Sequence, residues 1–189
     1  MQKVYLCQDN CNAIKICRVF RILVTLLFFN LSNAQTIDTM TIEQKIAAIE
    51  DKMAIKQVVD VFSKLADTKE IDKQVLLFTE DGIVESGSED SKMTLSGRKQ
   101  LFDAFSAYLA NFSIVYHQNG QQTIDELTAS SAKATSYCRV ILVGEQNGKS
   151  TKITHYVIYH DEFVKQNGKW LIKKRNSNFV RTETEEIKK

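Results

Sequence analysis

Three histidines and a small set of carboxylates, phenols and guanidines carry most of the chemistry open to this 189-residue chain. His117 follows Val115-Tyr116, where a strand-forming stretch begins. An imidazole takes and returns a proton near neutral pH, which elimination and enol isomerisation both require. Asp67 falls at the end of a long helical stretch, where a carboxylate is mildly unfavourable against the helix dipole, so a purely local role is disfavoured. In the extended run Ile153–Val164, His155, Tyr159 and Asp161 share one parity and point to one face, whereas Tyr156 and His160 point to the other. His155 and His160 therefore cannot hold one metal ion together, and no metal site or cofactor is expected. Arg139 and Arg175 fall in other strand-forming runs, and either can bind an anionic ligand or pair with Asp161. Cys138 and Trp170 read as packing residues. No phosphate loop, dinucleotide fingerprint or serine nucleophile elbow is present.

The elements that must position these groups follow an α+β order. Ile42, Ile46, Ile49, Met53, Val58, Val59, Phe62 and Leu65 recur three to five apart, which predicts an amphipathic helix with Thr41 as N-cap and Gln44 closing a capping box. Ile71 to Phe78 reads as a shorter helix ended by Asp81-Gly82. Ile83-Val84-Glu85 reads as a short strand and 86–92 as a polar loop. Gly97-Arg98 opens a third helix with Leu101, Phe102, Phe105, Tyr108 and Leu109 on its buried side. Strands are expected over Ile114–His117 with Gln122–Leu127, Ala132–Val143, Ile153–Val164 and Trp170–Val180. Asn147-Gly148 and Asn167-Gly168 between apolar runs are hairpin signals. Helices followed by an antiparallel meander define the class. Strands this long must twist and curl. A curled sheet with helices on its concave side makes a cone around one cavity, the default site for a ligand.

Four stretches resemble a known family: AIEDKMAIKQVVDVFSKLADTKEID followed by LFTEDGIVE; LSGRKQLFDAF; YHQNGQQTIDELTASSAKATSYCRVIL; and YHDEFVKQNGKWLIKKR. In order and spacing they are similar to the SnoaL-like branch of the nuclear transport factor 2-like superfamily, over about Thr41–Arg175. The resemblance implies an α+β cone, dimerisation through the sheet, and a pocket for a small, mostly apolar molecule. It includes dehydratases, isomerases and polyketide cyclases, and it implies that Asp67 faces the cavity and orients His117 as catalytic base or acid. Where catalytic relatives carry a tyrosine about a turn before the aspartate, this chain has Phe62, which cannot donate to a developing oxyanion. Tyr137 is the expected substitute hydroxyl. Phe62, Tyr137, Arg139, Tyr159 and Asp161 are the expected ligand-binding residues. Two readings stay open beside simple ligand binding: a dehydratase-like lyase or isomerase, and a non-catalytic dimeric interaction domain.

Composition fits a globular chain, with 43% hydrophobic and 25% charged residues. Lys15, Arg18 and Arg21 precede the apolar run Ile22–Phe29, and Leu31-Ser32-Asn33-Ala34 follows. That order is the one a secretory signal shows, and the apolar run is too short to span a membrane. The expected organisation is a signal peptide over 1–34, a leader over 35–40, the domain over 41–181 and a charged tail over 182–189, with the product periplasmic or secreted and not membrane-bound. Cleavage removes Lys3, Lys15, Arg18 and Arg21 against Asp9, turning the net charge from +2 to −1. No nucleic-acid partner is expected of such a chain. Cys7, Cys11 and Cys17 also leave, so Cys138 has no partner for an internal disulfide.

Overall fold

The computed structural model describes residues 40–87 and 92–188. The expected signal peptide and leader fall outside the described residues, apart from Met40, as do residues 88–91 of the expected polar loop. The chain divides into two units, Met1–Thr41 and Ile42–Lys189. In the second, helix α1 (Ile42–Asp67) leads to a short α2 (Ile71–Gln74) and a 3-10 turn (Val75–Leu77). Strand β1 (Phe78–Ser86), strand β2 (Met93–Ser96) and helix α3 (Arg98–Leu109) follow. The chain ends with β3 (Phe112–Leu127), β4 (Ser131–Gln146), β5 (Lys149–Gln166) and β6 (Lys169–Glu186).

The six strands form one curved, open sheet in the order β2-β1-β6-β5-β4-β3. The expected α+β order, helices followed by a curved sheet, is present, but the sheet is not antiparallel throughout. The last strand, β6, runs antiparallel to β5 and parallel to β1, so the sheet is mixed. Two strand readings also change. Phe78 to Asp81 belongs to β1, not to a helix, because an irregularity between Phe78 and Ile83 lets the strand resume beyond Gly82. Thr182–Glu186 of the expected charged tail are strand, since they continue β6 against Thr151–His155. The Asn147-Gly148 and Asn167-Gly168 hairpins form, with both asparagines and both glycines at positive φ.

Curvature comes from the long strands and from register shifts in β3 and β6. The concave face carries the core. In β4, Ala134, Ser136, Cys138, Val140 and Leu142 point inward and are buried. In β5, Val157, Tyr159, Asp161 and Phe163 do the same. At the start of α3, Gly97 has φ +80°, a conformation L residues rarely adopt, and Arg98 sends Nε and Nη2 to the Phe78 carbonyl at 3.0 and 2.6 Å.

Helix α1 packs differently from its expected face. Ile55, Val59, Phe62 and Ala66 are buried, while Ile42, Ile46, Ile49 and Met53 stand exposed. At about 100° per residue the two sets form separate stripes, well over a quarter turn apart. The anchored part begins near Asp51, whose Oδ1 accepts from Lys165 Nζ at 2.6 Å and Trp170 Nε1 at 2.8 Å at the β5–β6 hairpin. Residues 41–50 are mostly exposed. On α3, Leu101 and Leu109 are buried as expected, but Phe102 and Tyr108 are exposed.

Candidate functional site

A cavity of about 530 Å³ lies between the concave sheet face and the three helices. Its walls are mostly apolar, with Phe62 and Ala66 from α1, Phe105 from α3, and Val140 and Leu142 from β4. Its polar groups gather in three places.

The first is the end of α1 against β3. Asp67 is the last residue of α1, and Lys69, at φ 56°, turns the chain away behind it. Asp67 Oδ1 accepts from the His117 backbone N–H at 3.0 Å and meets His117 Nδ1 at 2.7 Å. A carboxylate can only accept, so Nδ1 carries the proton. Nε2 is then the nitrogen available to a ligand, and His117 lines the cavity. The His117 side chain is only 7% exposed. The α1–β3 seam is pinned by Ser63 Oγ donating to Asn119 Oδ1 and Asn119 Nδ2 donating to Asp60 Oδ1, each at 3.0 Å. These contacts join positions 56 and 59 residues apart in the chain.

The second is nearer the rim. His155 Nδ1 lies 2.8 Å from Thr182 Oγ1, and His155 Nε2 lies 3.3 Å from the Tyr108 hydroxyl. Phe179 meets the imidazole edge to face at 5.1 Å between centroids. All four residues line the cavity. Burial lowers the pKa of His155 and raises that of the Tyr108 phenol, so both favour their neutral forms.

The third is the floor. Asp161 and Arg175 sit opposite each other on β5 and β6 and form a two-pronged ion pair, Nε to Oδ1 at 2.8 Å and Nη2 to Oδ2 at 2.7 Å. Both are almost wholly buried. The guanidinium is sandwiched between aromatic rings, with Cζ 4.3 Å from the Phe62 centroid and 4.2 Å from that of Tyr159.

The expected site residues thus divide. Asp67 meets His117, and Phe62, Tyr159 and His117 line the cavity. Asp161 is buried in its pair with Arg175 and is not among the lining residues. Tyr137 and Arg139 are corrected: because even-numbered residues of β4 point inward, both project from the convex face, where Tyr137 is exposed and Arg139 Nη2 donates to Gln118 Oε1 at 2.6 Å. The phenols in the cavity are Tyr108 and Tyr159 instead. Phe179 escaped the sequence reading because irregularities in β6 shift its inward parity, and Thr182 because the expected strand ends at Val180. Cys138 is buried, and burial pushes its thiol up to about 12, which suits packing rather than chemistry. Among the described residues no group of three or more His, Cys, Asp or Glu could hold a metal ion.

A sequence model of the SnoaL-like domain family matches residues 47–176, more than half of the chain. The chain belongs to the SnoaL-like domain family. Solved structures agree on the fold. A scytalone dehydratase-like protein of Novosphingobium aromaticivorans superposes with a TM-score of 0.67 at 20% identity, covering 76% of this chain and 93% of that one. The hexachlorocyclohexane dehydrochlorinase LinA-type3 of Novosphingobium barchaimii gives 0.64 at 12% identity, covering 75% and 94%. A nuclear transport factor 2-like protein of N. aromaticivorans with a cystatin-like fold gives 0.58 at 17% identity, covering 77% and 92%. No curated protein matches the sequence. At these identities the likeness is one of fold. This SnoaL-like domain has a mostly apolar cavity with a carboxylate-held imidazole at one end and a neutralised guanidinium on its floor.

Proposed function

We propose that this SnoaL-like domain binds a small, mostly apolar molecule in the cavity and moves a proton on it, as a lyase or isomerase. The observation that carries this reading is the 2.7 Å contact between Asp67 Oδ1 and His117 Nδ1 at the cavity wall. In this reading Nε2 takes a proton from carbon and returns it, either to the departing group or to another carbon. Asp67 fixes the tautomer and stabilises the imidazolium that forms in between. The mostly apolar walls lower the local polarity, which strengthens that interaction. Two structural neighbours are named for elimination chemistry, a scytalone dehydratase-like protein and a dehydrochlorinase, which supports the reaction class and not a substrate.

The test is a thermal-shift screen of residues 35–189 against small apolar compounds, with each hit followed by mass spectrometry for turnover. A ligand at a hundred times its Kd adds about 2.7 kcal/mol of stability, a readable shift. His117→Ala is expected to keep its melting temperature and lose turnover by more than about a hundredfold, and Asp67→Asn to lose somewhat less. Full turnover by His117→Ala overturns the proton-transfer reading, and a screen without a hit overturns the pocket reading.

Two further expectations belong to the same proposal. The chain acts after export, on the strength of the charged, apolar and small residues in order over 1–34. It also acts as a homodimer through the convex sheet face, where Ile114, Tyr116, Tyr137 and Val180 are exposed.

A further inference from the structure

Four cavity-lining residues stand in one row across the sheet. His117 on β3 pairs with Val140 on β4, Val140 with His155 on β5, and His155 with Thr182 on β6. Paired residues share a face, and neighbouring strands lie about 4.8 Å apart, so the backbones of His117 and His155 stand roughly 10 Å apart with Val140 between them. A two-ring molecule lying over Val140 is long enough to approach both imidazoles.

The two imidazoles are held differently. His117 meets a carboxylate, whereas His155 meets hydroxyls, with Nδ1 2.8 Å from Thr182 Oγ1 and Nε2 3.3 Å from the Tyr108 hydroxyl. A neutral imidazole donates from one nitrogen and accepts at the other, so one hydroxyl gives its hydrogen to the ring and the other receives one. The lengths assign the roles. A separation of 2.8 Å suits the Thr182 hydroxyl donating to Nδ1, while 3.3 Å is too long for a firm bond from a phenol. Nε2–H then faces the phenol oxygen, and the phenol hydrogen is left to turn elsewhere. A donor against its oxygen makes the phenol a stronger donor in turn. Tyr108 is 49% exposed and lines the cavity, so its hydroxyl is open to a ligand. Burial keeps His155 and Tyr108 neutral, so neither repays a charged group for the water it loses on entering. Resting on the proposed ligand-binding reading, we infer that Tyr108 is a specificity-determining residue that donates to a neutral carbonyl oxygen of the ligand, and that His155 is the positioning residue behind it. The apolar body of the ligand then lies over Val140 towards His117.

Three probes of one skeleton test this by equilibrium dialysis against the purified protein: diphenylmethane, with no polar group; benzophenone, whose carbonyl only accepts; and diphenylamine, whose N–H donates. Benzophenone is expected to bind about tenfold tighter than either of the others. Tyr108→Phe is expected to bring benzophenone down to the affinity of diphenylmethane and leave diphenylmethane unchanged, which also shows that the variant is folded. His155→Ala is expected to lose most of the preference. His155→Gln is expected to keep most of it, because an amide can accept from Thr182 and donate to Tyr108. A merely structural role for His155 would instead weaken all three probes together. Equal binding of the three by the native chain, tightest binding of diphenylamine, or a preference that survives in Tyr108→Phe overturns this inference while leaving the pocket intact. Failure of all three to bind contradicts the pocket reading itself. The native series decides the matter even where a variant does not fold.

Discussion

His155 is held by hydroxyls on both sides, Thr182 on one nitrogen and Tyr108 on the other. Burial takes its pKa below the ordinary 6.5 of an imidazole. The folded chain thus resists a proton that the unfolded chain accepts. Its contribution is fully present above about pH 6.5 and is lost as the pH falls from there towards the lower folded pKa. His155→Gln is expected to melt more nearly independently of pH than the native chain between about pH 7.5 and about pH 5. If the two chains lose melting temperature in parallel, His155 is not the group responsible. The floor behaves differently. Arg175 and Asp161 are a pair whose members cannot be removed singly without stranding a buried charge, which costs about 3–5 kcal/mol.

At the scale of elements, helix α1 shows what periodicity can and cannot tell. Its existence and its end at Asp67 are legible from apolar spacing, and Gly97-Arg98 marks the start of α3 equally well. The face it buries is not legible, because two apolar stripes share the helix and only contact with the sheet chooses between them. The choice predicts unequal mutants. Ile55→Ala is expected to cost about 2–5 kcal/mol, as deletion of a fully buried side chain does. Ile49→Gln is expected to stay within about 0.5 kcal/mol of the native chain, since Ile49 is exposed. Urea denaturation of both variants checks this, and a large loss from Ile49→Gln would mean that the exposed stripe is covered in solution. The site was legible to a similar depth. The Asp67–His117 pairing came from resemblance, because no local rule joins residues fifty positions apart. Inward parity was readable on the regular β5, where His155 and Tyr159 do share a face, but not across the irregular β6. Tyr137 was misplaced because parity on β4 has no absolute sign until the sheet has chosen its concave side.

At the scale of the molecule, dimerisation and export each have a direct measurement. With Tyr137 and Val180 both exposed on the convex face, the double substitution Tyr137→Glu and Val180→Glu places charge on the proposed interface. It is expected to turn a dimer into a monomer by light scattering without moving the melting temperature of the protomer. A native chain that is already monomeric at micromolar concentration rejects the interface. For export, the mass of the chain recovered outside the cytoplasm is expected to correspond to a start at Gln35, and a full-length mass rejects cleavage.

The position of β6 has a consequence for how the molecule is made. The last strand synthesised lies in the interior of the sheet, between β5 and β1. It also brings Arg175, Ser177, Phe179 and Thr182 to the cavity. Without β6 the other strands fall into two disconnected pieces of sheet, β1 with β2 and β3 through β5. A chain that has not yet placed β6 is therefore without its site, and gains the closing strand, the ion pair and the cavity floor together.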